Sequence, residues 1–465
     1  MGKESSSIFG DKRLEKGFTK LLQNLQSRHS TLLSELSIDD AQEAQFGRFI
    51  NNKKVDSDKL LAHYWKNSEV DFRGKDLLVI SDSSTLSFKV HANREQLGPL
   101  SGTQTKEGFE IHPSIILDAN QGACYGLGGI DFFQDERPSN KEEEVQKMER
   151  RKNCWKLPFE EKQSYKWFSS PQKAINNCSG ALSYTLLGDR ESDIYELMDR
   201  TLSQNWNFVY RSRQNRKLHI SENGATLYER LERQPIRHVF SIEAKQTGKR
   251  TAHKADLALK FAGTILKRPG NTKNNLLARQ IPINVIEVKE MPDTVLDNEP
   301  PIHWILLTSH PVESIEEALK IIQWYRWRWV IEQCFRTLKL KGLNIEAAQL
   351  RTYHGLKNLS TLALTAALQV MQLVQTRDGK TKDTIDQVFL PQEQKCIVAL
   401  NKKLSGKTEK SKNPYPPKTL AFAAWVIARL GGWKGYQNRK PPGPITFVNG
   451  LSKFFNILEG YYLII

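Results

Sequence analysis

The chain has 465 residues, and its 68 Lys plus Arg against 52 Asp plus Glu leave a formal net charge of +16. Such a length builds two to four domains with sizeable cores, and 26% charged with 39% hydrophobic residues excludes global disorder. The surplus points to a polyanion, nucleic acid or an acidic membrane face. Five widely spaced cysteines (Cys124, Cys154, Cys178, Cys334, Cys396) with no CxxC or Cys/His cluster exclude zinc fingers and disulfide scaffolds and suit a reducing cytoplasm.

Residues 1–70 predict a polar helical domain, and the opening Met1–Ser7 lacks the apolar stretch of a secretory signal. Leu14, Phe18, Leu21, Leu22 and Leu25 recur at helical spacing. Asp39 or Asp40 can cap a second helix through Phe49, and residues 58–66 predict a third. The texture then changes. Leu77–Ile80 reads as a buried strand ending at Ser81-Asp82, and residues 109–117 and 122–130 as two strands joined by Asp118–Gln121. Residues 139–167 are charged and helical in pattern, and Leu182–Leu187 is another apolar strand, ending at Gly188-Asp189, with a helix following through Met198.

Residues 206–300 are strand-rich and polar, with turns at Gly224, Gly248, Pro269-Gly270 and Pro292. Within them, Lys245, Lys249, Arg250, Lys254, Lys260, Lys267, Arg268, Lys273 and Arg279 face only Glu243 and Asp256. Ile302–Thr308 reads as a buried strand, and Pro311 and Ser314 open a helix running to about Leu340. Polar Ser360, Thr361, Thr365, Gln369 and Gln372 make Leu359–Val374 a core helix and not a membrane span. A Lys-rich linker over 401–418 precedes a helix to Leu430, which breaks at Gly431-Gly432.

Three carboxylates stand out. Asp82 and Asp189 each follow a short apolar strand, and sites assemble at the carboxyl ends of parallel strands. On a continuous helix, Tyr325, Arg328, Glu332 and Lys339 share one narrow stripe, because offsets of three, seven and fourteen residues nearly complete whole turns. Arg–Glu pairing on a solvated face explains the charges. It does not explain Trp324, Trp327 and Trp329 interleaved with Arg326 and Arg328, a pattern that suits base stacking and phosphate binding. Three carboxylates without a Walker loop suggest metal-assisted chemistry on a nucleic-acid phosphodiester.

The spacing Tyr325-x2-Arg328-x3-Glu332-x6-Lys339 resembles the YREK signature of the IS-four family of DDE transposases, Tn-five type. The resemblance continues in order along the chain. Phe9–Arg13 and Ala41–Phe49 are similar to its DNA-binding helices, Ile80–Thr85 to its first-Asp segment, and Glu161–Trp167 to its KES-type helix. Asp189–Ile194 resembles the second-Asp segment, His303–Ser309 the strand before the last helix, and Arg429–Trp433 the dimerisation segment. The resemblance implies an α/β fold, with an RNase H-like mixed-sheet core over residues 71–375. That core carries a β-rich insertion at about 206–300, and helical domains flank it at 1–70 and 376–465. It implies that Asp82, Asp189 and Glu332 bind two Mg²⁺ ions, replaceable by Mn²⁺, and that Tyr325, Arg328 and Lys339 contact transposon-end DNA. Trp304 would stack on a flipped base, Trp329 would fill the vacated stack, and Arg211 and Arg213 are weaker DNA-contact candidates. The implied protein is a cytoplasmic, nucleoid-associated cut-and-paste enzyme that works as a homodimer on double-stranded transposon ends and target DNA, with no membrane partner. A nuclease with the same core but no strand transfer, and an inactive DNA-binding inhibitor, are the alternatives.

Overall fold

The computed structural model describes residues 7–68, 70–89, 97, 98, 100, 106–134, 145, 148, 149, 152, 153, 156–219, 225–244, 246, 250–270, 276–339, 342–435 and 441–462. Cys154, most of the 139–155 stretch, the turns at Gly224 and Gly248, and Lys245, Lys249 and Lys273 lie outside them.

A mixed sheet organises the chain. Its strands are β1 (Asp76–Ser81), β2 (Ser84–Lys89), β3 (Lys106–Asp118), β4 (Cys124–Phe133), β5 (Ser183–Gly188), β6 (Asn207–Arg211), β7 (His238–Ala244), β8 (His253–Lys267), β9 (Gln280–Glu290) and β10 (His303–Thr308). The order is β2-β3-β1-β5-β6-β10-β9-β8-β7, with β4 on β3. β1 and β2 take successive stretches of one edge of β3, so Asp82 and Ser83 occupy the break between them. β5 pairs parallel with both β1 and β6, while β10 runs antiparallel to β6 and β9. The run β4-β3-β1-β5-β6 is consistent with an RNase H-like core. Asn207–Arg211, placed inside the inserted region by its composition, is the parallel neighbour of β5, and β7–β9 extend the same sheet through β10.

The helix Lys166–Asn177 packs on β4 and β3. Its approach depends on a bare backbone at Gly129, where a Cβ would lie 2.3 Å from the Ser170 carbonyl oxygen. Among the described residues four helices precede the sheet: Lys12–Arg28, Leu33–Leu36, Asp40–Ile50 and Ser57–Lys66. Asp11, Asp39 and Asp56 cap the first, third and fourth by accepting from the Arg13, Gln42 and Lys59 amides, satisfying donors that a helix start leaves open. The helix Tyr353–Thr376 is buried along nearly its whole length and is the common support of the molecule. Its buried Asn358 donates to the Ile50 and Val55 carbonyls at 2.9 and 3.0 Å, fixing the N-terminal helices to the core. C-terminal helices Leu420–Leu430 and Pro444–Tyr462 also pack on it, and Pro444–Tyr462 packs on Lys12–Arg28 as well. Among the described residues no helix is long and apolar enough to cross a membrane.

One helical expectation is corrected. The run from Ser314 to about Leu340 is two helices, Ile315–Trp327 and Trp329–Lys339, with Arg328 as a turn between them. Around it the backbone tightens to three-residue bonds, with the Arg328 amide donating to the Tyr325 carbonyl and the Ile331 amide to the Arg328 carbonyl. Ser314 does start the run, in a reciprocal capping box with Glu317.

Candidate active site

The site sits at the carboxyl end of the parallel strands. Ile80 pairs with Leu187 and Gly188 with Tyr210. Continued one or two places, this register sets Asp82 beside Asp189 and Asp189 beside Arg211, on strands spaced about 4.8 Å apart. A sharp turn places Asp189. A Cβ on Gly188 would lie 2.5 Å from the Ser192 side chain and 2.8 Å from the Trp167 ring, so only glycine lets the chain fold back there. One Asp189 oxygen accepts the Glu191 amide at 2.8 Å.

Asp82 is held from behind. Its Oδ1 accepts the Ser83 amide at 2.8 Å, and the Ser83 hydroxyl lies 2.8 Å from Nδ1 of His112. His112 is fully buried, and burial, aided by the Lys166 charge, keeps its imidazole far below its ordinary pKa and neutral. On the open side Arg328 forks across two acids. Nη1 donates to Asp82 Oδ2 at 2.7 Å and Nη2 to Glu332 Oε1 at 2.6 Å. Burial pushes the Asp82 carboxyl up to about 6 against the pull of Arg328, and the Asp189 and Glu332 carboxylates push it the same way. Asp82 therefore feels both other acids.

Among the described residues, no three His, Cys, Asp or Glu side chains are drawn into one metal-binding cluster. The donor chemistry nevertheless fits a hard divalent cation, which prefers carboxylate oxygen. Crowded carboxylates already hold a cation, the Arg328 guanidinium, between two of them.

The other candidates are distributed as follows. Tyr325 is buried under Arg328, whose guanidinium carbon lies 5.7 Å from the ring centroid, and its hydroxyl has no hydrogen-bond partner. Trp304 is half-buried on β10 and meets Tyr325 edge to face at 6.0 Å. Lys339 donates to the Thr85 carbonyl at 2.5 Å, just past Asp82. Arg211 donates to the His303 carbonyl at 2.9 Å. Trp329 is 46% exposed. The reading of three interleaved tryptophans as one stacking surface is corrected. Trp324 is buried and donates to the Ala119 carbonyl at 2.7 Å, and Trp327 packs over Gly122.

Beside Asp189 opens a cavity of about 570 Å³ lined by Arg190, Glu191, Ser212, Arg213 and Tyr228. Its Arg213 wall is held by Asp193, which accepts the Arg213 and Gln214 amides at 2.7 and 3.1 Å and pairs with Arg216 at 2.6 Å. Arg190, Tyr228 and the Asp193–Arg216 pair were not singled out from the sequence. The density of charge in Asp189–Asp193 was a signal, but it did not say which acid faces inward.

Residues 175–369 match the family model of the transposase DDE domain. The matched span takes in Asp189, Trp304, Tyr325, Arg328, Glu332 and Lys339, and Asp82 lies before it. By this match that stretch is similar to DDE transposases, a family of DNA-binding enzymes that use divalent metal ions.

Proposed function

We propose that the chain is a cut-and-paste DNA transposase of the IS-four type. The observation that carries the reading is that Asp82 and Asp189 follow the carboxyl ends of two neighbouring parallel strands, with Glu332 tied to Asp82 through Arg328. Match of the 175–369 stretch to the transposase DDE domain supports it. Asp82, Asp189 and Glu332 would hold two Mg²⁺ ions, for which Mn²⁺ substitutes, and bound there they would supply Lewis acidity at the reacting phosphate.

The chain's own residues do the rest. Arg328 and the unpartnered Tyr325 hydroxyl are donors for a phosphate oxygen. Lys339 ties the helix Trp329–Lys339 to β2, the strand after Asp82, and adds positive charge beside the site. Trp304 takes an extruded base, and the exposed Trp329 fills the gap it leaves. Unstacking costs a few kcal/mol and stacking on an aromatic returns about 1–3 kcal/mol. Arg211 and Arg213 border the strand ends where DNA would pass.

Successive in-line displacements at phosphorus then complete the reaction. Water opens the transferred strand, and the freed 3′-hydroxyl closes a hairpin on the opposite strand. A second water reopens the hairpin, and the 3′-hydroxyl joins target DNA. The enzyme acts in the cytoplasm as a homodimer bridging two ends.

The test takes the DNA that flanks the gene, searches it for short inverted repeats, and incubates a supercoiled plasmid bearing these ends with protein and Mg²⁺. Wild type gives nicked, hairpinned and joined products, while D82A, D189A and E332A still bind the ends but give none. Cleavage by D189A overturns the site. Cleavage without joining identifies a nuclease, and binding without cleavage by the wild type identifies an inhibitor.

A further inference from the structure

We propose that Arg328 is an internal latch that closes the acidic site to divalent metal until a DNA phosphate releases it. This rests on the reading of Asp82, Asp189 and Glu332 as metal ligands.

The latch is visible as a bridge. Two nitrogens of one guanidinium reach two acids from different parts of the fold, the end of β1 and the helix Trp329–Lys339. The side chains of Arg328, Asp82 and Glu332 are only 13%, 18% and 31% exposed. Asp82 Oδ1 already accepts the Ser83 amide at 2.8 Å, which leaves Oδ2 as its less encumbered oxygen. That Oδ2 is the one Arg328 takes, at 2.7 Å. A hard cation draws on carboxylate oxygens of this kind, so guanidinium and metal compete for the same atoms and repel each other as like charges.

Arginine cannot leave by deprotonation. It leaves only for another anion that accepts its planar fork, and a phosphodiester does so. Its location allows the exchange. Arg328 is the joint between two helices, free of the four-residue bonds on either side. Tyr325 lies directly beneath it with a hydroxyl that nothing in the protein satisfies, a second donor for the incoming phosphate. A latch of this kind makes metal and DNA mutually reinforcing, since coupling between two ligands is reciprocal. It would also keep a DNA-free chain from loading its metal.

The experiment is Mn²⁺ binding to the full chain, followed by the electron paramagnetic resonance of free Mn²⁺, with and without a short mixed-sequence DNA duplex. Wild type should bind weakly alone and about tenfold or more tightly with DNA, within the usual range of coupling. R328Q should bind without DNA at the tighter level and gain nothing from it. R328K keeps the charge but loses the fork, and should fall between; if R328Q fails to fold, R328K carries the test. Binding by either variant no tighter than wild type, or no gain by wild type on adding DNA, overturns the latch. D82N and E332Q separate the two ideas. If they bind Mn²⁺ like wild type, the metal-site reading falls. If they lose Mn²⁺ while R328Q shows no gain, only the latch falls.

Discussion

Replacing Asp193 should dislodge the loop beside Asp189 at a cost that its contacts define. Its carboxylate accepts the Arg213 amide at 2.7 Å, the Gln214 amide at 3.1 Å and Arg216 Nε at 2.7 Å, and Arg216 Nη2 lies 2.6 Å away. The Asp193 side chain is fully buried and that of Arg216 is 8% exposed. D193A strands a buried guanidinium, and breaking one side of such a pair costs about 3–5 kcal/mol. The two orphaned amides add about 1–3 kcal/mol each if they stay dry, and water entry through the neighbouring cavity offsets part of this. We therefore expect about 4–6 kcal/mol for D193A and about 2–3 kcal/mol for D193N, which keeps an acceptor. Urea unfolding followed by tryptophan fluorescence gives the stability, and hydrogen exchange at the Arg213 and Gln214 amides reports the loop itself. A double-mutant cycle with R216M should show coupling above about 1.5 kcal/mol. A D193A loss below about 1 kcal/mol, or additive single and double changes, would refute the reasoning.

Two further predictions concern other regions. Burial pushes the Glu393 carboxyl from 4.5 up to about 7, so the folded chain holds a proton that the unfolded chain releases between those values. Its stabilising contribution is therefore complete below about pH 4.5 and lost as pH rises through about 7, up to roughly 3 kcal/mol in all. E393Q keeps an acceptor for the Leu390 amide and should flatten this dependence, raising the urea midpoint at pH 8; a midpoint lower than wild type there contradicts it. For the tryptophans, W324A removes a buried, hydrogen-bonded ring and should destabilise by about 3–5 kcal/mol, whereas W329A should stay within about 0.5 kcal/mol. Equal losses in thermal unfolding would mean that the two rings have been assigned the wrong environments.

The legible parts of this chain were those with a local signal. Leu77–Ile80 and Leu182–Leu187 announce short buried strands, and an acid directly after each is visible without any fold. Their register is not visible, because Asp82 meets Asp189 only after a crossover through the helix Lys166–Asn177. The break at Arg328 left no mark either, since 324–339 contains neither proline nor glycine and keeps its helical periodicity. What ends the helix there coincides with a tertiary contact, the fork onto Asp82 from a strand 246 residues earlier. The same limit explains Trp324. An indole that donates to a backbone carbonyl in the core and one that faces solvent are identical letters in a basic, aromatic segment.

The spread of the three acids along the chain has a temporal consequence. Residues 82 and 332 are separated by 250 positions, and ribosomes add about 5–20 residues each second. Roughly 12–50 s therefore pass between synthesis of the first acid and the third. Throughout that interval the growing polypeptide can fold its first helices, yet holds no complete set of the three acids. On the proposed function, competence to cut would arrive only once Glu332 has emerged and docked, and a translation product that stops before it would lack the third acid.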